Sequence, residues 1–299
     1  MRDVQGAVGR HIRVVHWKLF YLGIAGILSG VVLLPFSGAS AGAATPRTGS
    51  SYIYWGVGSS GGSSVGRADL NGTGVNYNFI EPGTNVAGVT LNKKYIYWAT
   101  ANGGTATDIG RAKINGTDVN SAFITGASNP CGVAVSKKYI YWVGDTGDYI
   151  GRAKLDGTAV DQDWLDVGTD VCWLAVNSSN IYWGNYSTDE IASATLSGTD
   201  VNSDLITTTG GGAFAINSSY IYFQNSSSIG RANLDGSGVN NSFISGPSNL
   251  SGIALNGSNI YWATYQGSEI GEANLDGSGV NNSFITGITG GLFGVALKP

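Results

Sequence analysis

Residues 256–287 have the sequence NGSNIYWATYQGSEIGEANLDGSGVNNSFITG, and residues 217–246 repeat its pattern as NSSYIYFQNSSSIGRANLDGSGVNNSFISG. Four further copies lie upstream, and the anchor tyrosines of successive copies are spaced 43, 44, 41, 40 and 39 residues apart. These anchors are Tyr54, Tyr97, Tyr141, Tyr182, Tyr222 and Tyr261. A period near 40 residues with strand-like content predicts a propeller or a solenoid.

Each copy contains four short runs of β-branched or aromatic residues bounded by Gly, Asn, Asp and Ser, which is the pattern of strands and turns. In the copy quoted first, we expect strands at residues 251–256, 259–264, 269–275 and 282–285. The second of these is apolar on both faces, so it needs packing partners on both sides. Antiparallel blades packed around an axis supply those partners.

The two ends of the repeat region complete each other. The first copy starts in a second strand, and residues 292–298 (LFGVALK) form a first strand with no blade after it. The sequence therefore predicts an all-β fold over residues 52–299: a six-bladed propeller of four-stranded antiparallel blades. Its C-terminal first strand closes the ring by completing the N-terminal blade.

The Tyr-Trp pairs, such as Tyr261-Trp262, and the I-G-R-A-x-L-D-G stretch that follows them resemble the YWTD repeat of low-density-lipoprotein-receptor class B modules. The resemblance covers about residues 52–299 and implies a six-bladed propeller, here in a secreted, bacterial-type member. One feature of the family is missing. Its Thr-Asp after Tyr-Trp is replaced here by Gly-Val, Ala-Thr, Val-Gly, Gly-Asn and Ala-Thr.

The N-terminus has the order of a secretory signal peptide: basic residues, the apolar run 19–36, then small residues. We expect residues 1–43 to be this signal, cut after Ala41 or Ala43, and residues 44–51 to be a short linker. The protein is then secreted. The alternative is an uncleaved membrane anchor, because 18 apolar residues approach the length of a membrane span.

Removal of the leader changes the charge and leaves no histidine. Four of the 16 Lys and Arg and one of the 20 Asp and Glu precede Ala44, so the mature chain has 12 and 19, net −7. No basic stripe is present, which argues against nucleic-acid binding. Both histidines, His11 and His16, lie in the leader, so histidine-based catalysis and metal ligation are excluded in the mature chain.

Two sets of residues have a structural and a chemical interpretation. Cys131 and Cys172 open equivalent first strands in consecutive copies, which favours a disulfide in an oxidising compartment; the alternative is two buried thiols.

An arginine recurs at one position of the third strand in four copies, and Ser193 and Glu272 occupy it in the other two. That periodicity favours a contact between blades over a sialidase-like arginine cluster. The four are Arg67, Arg111, Arg152 and Arg231.

Acidic and aromatic side chains concentrate in loops that we expect to share one face, around the mouth of the channel, because alternate strands run in opposite directions. The candidate site residues are Asp145, Asp148, Asp170, Tyr186, Asp189 and Tyr265. Carboxylates suit Ca²⁺, and Asp145, Asp148 and Asp189 are the candidate ligands; no other cofactor is expected. The alternatives are an acid/base pair for glycoside cleavage and plain solvated loop acids.

The repeats favour a monomeric, non-catalytic binding module over an enzyme, because most of the notable residues are repeated, whereas an active site needs residues that break the repeat. The expected partner is an extracellular protein, peptide or glycan. One alternative is a carboxylate-dependent extracellular hydrolase or lyase with its site at the channel mouth. A third class is a passive wall or matrix component.

Overall fold

The computed structural model describes residues 51–59, 62–101, 107–144, 148–210, 212–265 and 268–298. They form a ring of six four-stranded antiparallel sheets, so the predicted fold is confirmed. The predicted signal peptide and most of the linker lie outside the described residues, and so does Asp145.

The strands follow one another with short connections, and they are numbered in chain order. The first twelve are β1 (Tyr52–Ser59), β2 (Gly62–Asp69), β3 (Asn76–Ile80), β4 (Asn85–Leu91), β5 (Tyr95–Ala101), β6 (Asp108–Lys113), β7 (Asn120–Thr125), β8 (Pro130–Val135), β9 (Tyr139–Gly144), β10 (Tyr149–Lys154), β11 (Asp161–Asp166) and β12 (Val171–Val176). The others are β13 (Asn180–Asn185), β14 (Glu190–Thr195), β15 (Asn202–Thr207), β16 (Phe214–Ile216), β17 (Tyr220–Asn225), β18 (Ser228–Asn233), β19 (Asn240–Ser245), β20 (Leu250–Leu255), β21 (Asn259–Thr264), β22 (Glu269–Asn274), β23 (Asn281–Ile285) and β24 (Leu292–Leu297).

Blade 1 takes its first strand from the other end of the chain, in the order β24-β1-β2-β3. Blades 2 to 6 are each contiguous: β4–β7, β8–β11, β12–β15, β16–β19 and β20–β23. The antiparallel register joins Ile53 to Leu297 and Trp55 to Val295. The backbone N–H of Lys298 also donates to the carbonyl of Tyr52 at 3.1 Å. The predicted closure of the ring by the C-terminal strand is therefore confirmed.

The repeated glycine of the third strand exists because an indole lies across it. Trp98 is paired across strands with Gly110, and a Cβ built on Gly110 would overlap the indole of Trp98. The same contact recurs between Trp55 and Gly66, and between Trp262 and Gly271. These three tryptophans are fully buried, which makes them the centre of the packing between blades. Blade 4 alone has an alanine there, Ala192 opposite Trp183.

Each repeated arginine is held between two aromatic rings of its own blade, one at the start of the second strand and one on the fourth strand. The guanidinium carbons lie 3.6 to 5.1 Å from the ring centroids. The sets are Tyr52–Arg67–Phe79, Tyr95–Arg111–Phe123, Tyr139–Arg152–Trp164 and Tyr220–Arg231–Phe243. The arginines do not form one cluster. The contact expected between blades is mainly a contact within a blade, although Arg111 also donates to the Leu155 carbonyl of blade 3 at 3.4 Å.

Replacing Arg111 by alanine is expected to lower the free energy of unfolding by about 2 kcal/mol. The change removes two cation–π contacts of about 0.5–1 kcal/mol each and a charged hydrogen bond. Arg111→Lys should recover less than half of the loss, because an ammonium does not stack as a guanidinium does. Urea unfolding followed by tryptophan fluorescence measures both variants. A loss below about 0.5 kcal/mol for Arg111→Ala would show that the sandwich is not stabilising.

The antiparallel order gives the propeller two different faces. The loops between second and third strands and the loops between blades lie on one of them, which we call the mouth face. The turns between first and second strands and between third and fourth strands lie on the other, which we call the turn face. The first strands line the axis, so residues that open a first strand lie nearest to the mouth face.

Candidate functional site

On the mouth face, the loop between second and third strands is tied to the loop that enters the same blade. In blade 4 the backbone N–H of Tyr186 donates to the Asp170 carbonyl at 3.0 Å, and the Tyr186 hydroxyl donates to Oδ1 of Asp170 at 3.2 Å. In blade 6 the N–H of Tyr265 donates to the Asn249 carbonyl at 3.0 Å. Each tyrosine is therefore fixed beside the first strand of its blade, with its ring half-buried.

Trp173 crosses the axial end of the ring from blade 4 to blade 6. Its indole N–H donates to the Ser251 carbonyl at 3.2 Å, and its ring covers Gly212 in blade 5, where a Cβ would come within 2.7 Å of it. The edge of Tyr186 packs against the same indole, with ring centroids 6.4 Å apart. The first strand of blade 5, β16, has three residues, whereas the other first strands have six or seven. Trp173 occupies the space beside it.

A second aromatic pair lies near the end of the ring where it closes. The rings of Tyr265 and Phe293 meet edge to face, with centroids 5.3 Å apart. Phe293 belongs to β24, and its ring packs closely on Gly58 and Gly291, where a Cβ would lie 3.3 Å from it. The mouth face thus presents two half-buried aromatic pairs, Trp173 with Tyr186 and Tyr265 with Phe293, which we call the mouth aromatics.

The predicted acidic residues have backbone roles that recur in other blades. Asp170 has a φ of 65°, and Asn129 and Asn249 occupy the equivalent position with φ values of 44° and 52°. Asp and Asn tolerate this left-handed conformation better than other residues with a side chain. The carbonyls of Asp148 and Asp189 each accept a hydrogen bond from the first residue after the fourth strand, at 2.7 Å.

The structure brings Asp170 and Tyr186 of blade 4 together, and the other described candidates are divided among blades 3, 4 and 6. Asp148 belongs to blade 3, Asp189 to blade 4 and Tyr265 to blade 6. Within the residues that the structure describes, no group of three or more His, Cys, Asp or Glu side chains could hold a metal ion. Because Asp145 lies outside them, the Ca²⁺ site stays a prediction.

Cys131 and Cys172 form a disulfide between the first strands of blades 3 and 4, with their Cα atoms 5.3 Å apart. Each is the second residue of its strand, so the bond lies near the mouth end of the axis, next to Trp173. Disulfides persist in oxidising compartments, which fits secretion. In the described part of the chain, no helix is long and apolar enough to span a membrane.

Non-reducing peptide mapping of the exported protein is expected to show one linked peptide that contains Cys131 and Cys172. The reason is that the two first strands hold the Cα atoms within the range that a disulfide spans. Reduction before alkylation should release both peptides and serves as the control. Two freely alkylated thiols without reduction would contradict the expectation.

Sequence reasoning missed the residues that dominate the mouth face, Trp173 and Phe293. The signal for Trp173 was available, because four of the six first strands have glycine at this position: Gly88, Gly132, Gly252 and Gly294. The first strand of blade 5 has Ala213 there, which leaves Trp173 as the only large side chain in the set. A residue that breaks the repeat in this way is a stronger pointer to function than loop acids that follow it.

The sequence matches no protein-family model and no curated protein. Among solved structures, it is similar to a chain in the crystal structure of a nidogen–laminin complex. The TM-score is 0.70 at 19% identity, over 83% of this chain and 98% of that chain. This likeness supports the propeller fold that the YWTD resemblance implies.

Two enzymes have a similar fold. One is a catalytically inactive histidine-to-alanine variant of virginiamycin B lyase from Staphylococcus aureus with quinupristin. Its TM-score is 0.53 at 17% identity, over 81% of this chain and 87% of that chain. The other is a gluconolactonase from Xanthomonas campestris, with a TM-score of 0.57 at 13% identity, over 71% of this chain and 78% of that chain. At these identities the likeness concerns the fold alone.

Proposed function

We propose that this protein is a secreted, non-catalytic module that binds an extracellular protein, peptide or glycan through the mouth aromatics. The observation that carries the proposal is the position of Trp173, which spans the axial end of the ring and offers an aromatic surface with Tyr186 at its edge. Rings with a polar tip provide large contact area at low entropic cost and dominate binding energy at interfaces.

The comparisons include both a protein complex and enzymes, and the composition of the chain favours binding over catalysis. The nidogen structure is that of a complex between two proteins. The virginiamycin B lyase structure is of an inactive variant that lacks a histidine, whereas residues 17–299 of this chain contain no histidine. A hydrolase or lyase on this propeller would depend on carboxylates. One of the described carboxylate candidates, Asp170, already accepts a hydrogen bond from the Tyr186 hydroxyl, so it has a structural role in the loop.

Secretion is part of the proposal, supported by the disulfide and by the basic, apolar and small-residue order of residues 1–43. The intact mass of the exported protein tests it. The expected mass corresponds to a chain that starts at Gly42 or Ala44. A mass that includes residues 19–36 would replace secretion by membrane anchoring.

Binding is tested by applying the mature chain to glycan and peptide arrays and then measuring the best ligand with three variants. Tyr186→Ala and Tyr265→Ala are expected to weaken binding at least about tenfold, as interface hot spots do. Tyr77→Ala is the matched control, because Tyr77 is a 40% exposed tyrosine on an outer strand. Equal effects of all three variants would contradict the proposal. Turnover of an array glycan that is lost in Asp148→Asn or Asp189→Asn would favour the hydrolase.

Calcium is a separate part of the proposal, because Asp148 and Asp189 immediately precede corresponding third strands on the mouth face. Calorimetry with Ca²⁺ is expected to give heat with the wild type and none with Asp145→Asn/Asp189→Asn. Melting curves with and without chelator should differ for the wild type alone. No heat, together with identical melting curves, would leave these residues as solvated loop acids.

A further inference from the structure

The turn face has a position where blade 4 lacks the arginine sandwich found in four other blades. Asn180 replaces the tyrosine, Ser193 replaces the arginine and Leu205 replaces the outer ring. The strand registers establish these equivalences. Tyr182 pairs with Ser193 as Tyr222 pairs with Arg231, and Ile206 pairs with Ile191 as Ile244 pairs with Ile229. All three layers of the sandwich are therefore missing together.

The missing layers leave a cavity of about 680 Å³ between blades 4 and 5. Asn180, Ser193 and Leu205 all line it, together with Tyr182 from the same blade. Its volume lies in the range of small-ligand sites. Blade 6 also lacks the tyrosine and the arginine, with Asn259 and Glu272 in their places. It keeps the outer ring, Phe284, which packs against Tyr261 with centroids 5.8 Å apart.

Blade 5 contributes to the cavity wall a backbone carbonyl that is equivalent to one that accepts a hydrogen bond from an arginine elsewhere in the ring. Arg111 of blade 2 donates to the carbonyl of Leu155 in blade 3. Leu234 of blade 5, which lines the cavity, occupies the position that Leu155 has in blade 3, and Asp235 occupies that of Asp156. The hydroxyl and backbone N–H of Ser237 donate to Asp235 and lower the pKa of its carboxyl, so the carboxylate is charged at neutral pH.

We propose that this cavity, the blade-4 groove, binds an arginine side chain flanked by an aromatic residue, presented by a second protein. The partner then supplies the layers that blade 4 has lost. The guanidinium lies beside Ser193 and donates to the backbone carbonyl of Leu234. Its positive charge is complementary to the carboxylate of Asp235. The partner's aromatic ring packs on Leu205. This site is on the turn face, so it is independent of binding at the mouth aromatics.

The test uses the dipeptide amides N-acetyl-Phe-Arg-amide and N-acetyl-Phe-Lys-amide with the mature chain, followed by NMR chemical shifts. The arginine peptide is expected to bind with a Kd on the order of 0.1–1 mM. It should shift the amide signals of Ser193 and Asn180. The lysine peptide should bind at least about fivefold more weakly, because an ammonium lacks the planar fork of donors. Asp235→Asn should weaken the arginine peptide and reduce its salt dependence.

Two variants, one that fills the groove in blade 4 and one that fills the corresponding position in blade 6, distinguish binding in the groove from binding elsewhere on the protein. The variant Asn180→Tyr/Ser193→Arg/Leu205→Phe restores the sandwich in blade 4 and is expected to abolish binding of the arginine peptide. Asn259→Tyr/Glu272→Arg fills the corresponding position of blade 6 and should leave binding unchanged. If the triple variant does not fold, Ser193→Arg alone occludes the groove and serves the same purpose.

Several results would overturn the proposal. Equal binding of the two peptides would show that the groove does not recognise the guanidinium. No binding of the arginine peptide at about 10 mM would show that the groove is not a binding site for it. Binding that survives the filled blade 4 would place the peptide elsewhere. A neutral disaccharide that binds the wild type, and not the filled variant, would reassign the groove to a glycan. None of these results depends on Tyr186 or Tyr265.

Discussion

A chain that ends at Gly291 is expected to lose the whole propeller, rather than one blade, at room temperature. The deletion removes β24, and with it the buried side chains of Leu292 and Val295 and every strand pair that joins the two ends. Burial of two such side chains contributes about 3–6 kcal/mol. That is a large part of the 5–15 kcal/mol by which domains are stable. It also leaves the first edge of β1 unpaired at the axis.

Circular dichroism and urea unfolding of the truncated chain measure this effect. The sharpest control moves residues 292–299 directly ahead of Ser51. Three residues, Lys298, Pro299 and Ser51, then connect β24 to β1, which is the spacing between β4 and β5 in blade 2. This permuted chain keeps every strand pair, so its stability should be close to that of the wild type. A truncated chain that melts within about 2 °C of the wild type would show that closure is not needed.

Trp173→Ala is expected to lower the free energy of unfolding by about 3 kcal/mol, at the lower end of the range for tryptophan because the ring is partly exposed. The indole touches three blades, so its loss leaves a void between β12, β16 and β20 and frees the Ser251 carbonyl. For a domain of this size the melting temperature should fall by about 6–12 °C. Differential scanning calorimetry of the mature chain measures it.

The matched control is Trp173→Phe, which keeps a ring over Gly212 and loses the hydrogen bond to Ser251. It should cost about 1 kcal/mol. Both variants should also lose binding at the mouth aromatics, whereas the blade-4 groove should keep its affinity for the arginine peptide. A loss below about 1 kcal/mol for the alanine variant would mean that Trp173 is not part of the packing at the axis.

The fold could be predicted because the same pattern of strands and turns occurs six times in the sequence. The second strand of blade 6 was predicted at 259–264 and is found there as β21 (Asn259–Thr264). The first strand of this blade begins and ends one residue earlier than predicted, and the third ends one residue earlier. Closure followed from the phase of the repeat, since a ring that starts in a second strand must end in a first strand.

The sites could not be predicted in the same way, because they depend on which residues meet across blades. Asp170 was singled out for its charge, yet its left-handed backbone explains an acidic residue there. Ser193 was noticed as a replaced arginine. The repeats align Asn180 and Leu205 with aromatic residues of other blades, but only the structure shows that the three changes open one cavity. Contacts of this kind are set by packing between repeats, which the period of the sequence does not contain.

The pairing of β1 with β24 also sets the order of events when the protein is made. The two strands lie at opposite ends of the repeat region, so the first blade to be synthesised is the last to be completed. A nascent chain cannot close its ring until β24 has been synthesised. Because contacts this distant in sequence form slowly, we expect the pairing of β24 with β1 to be a late step in folding.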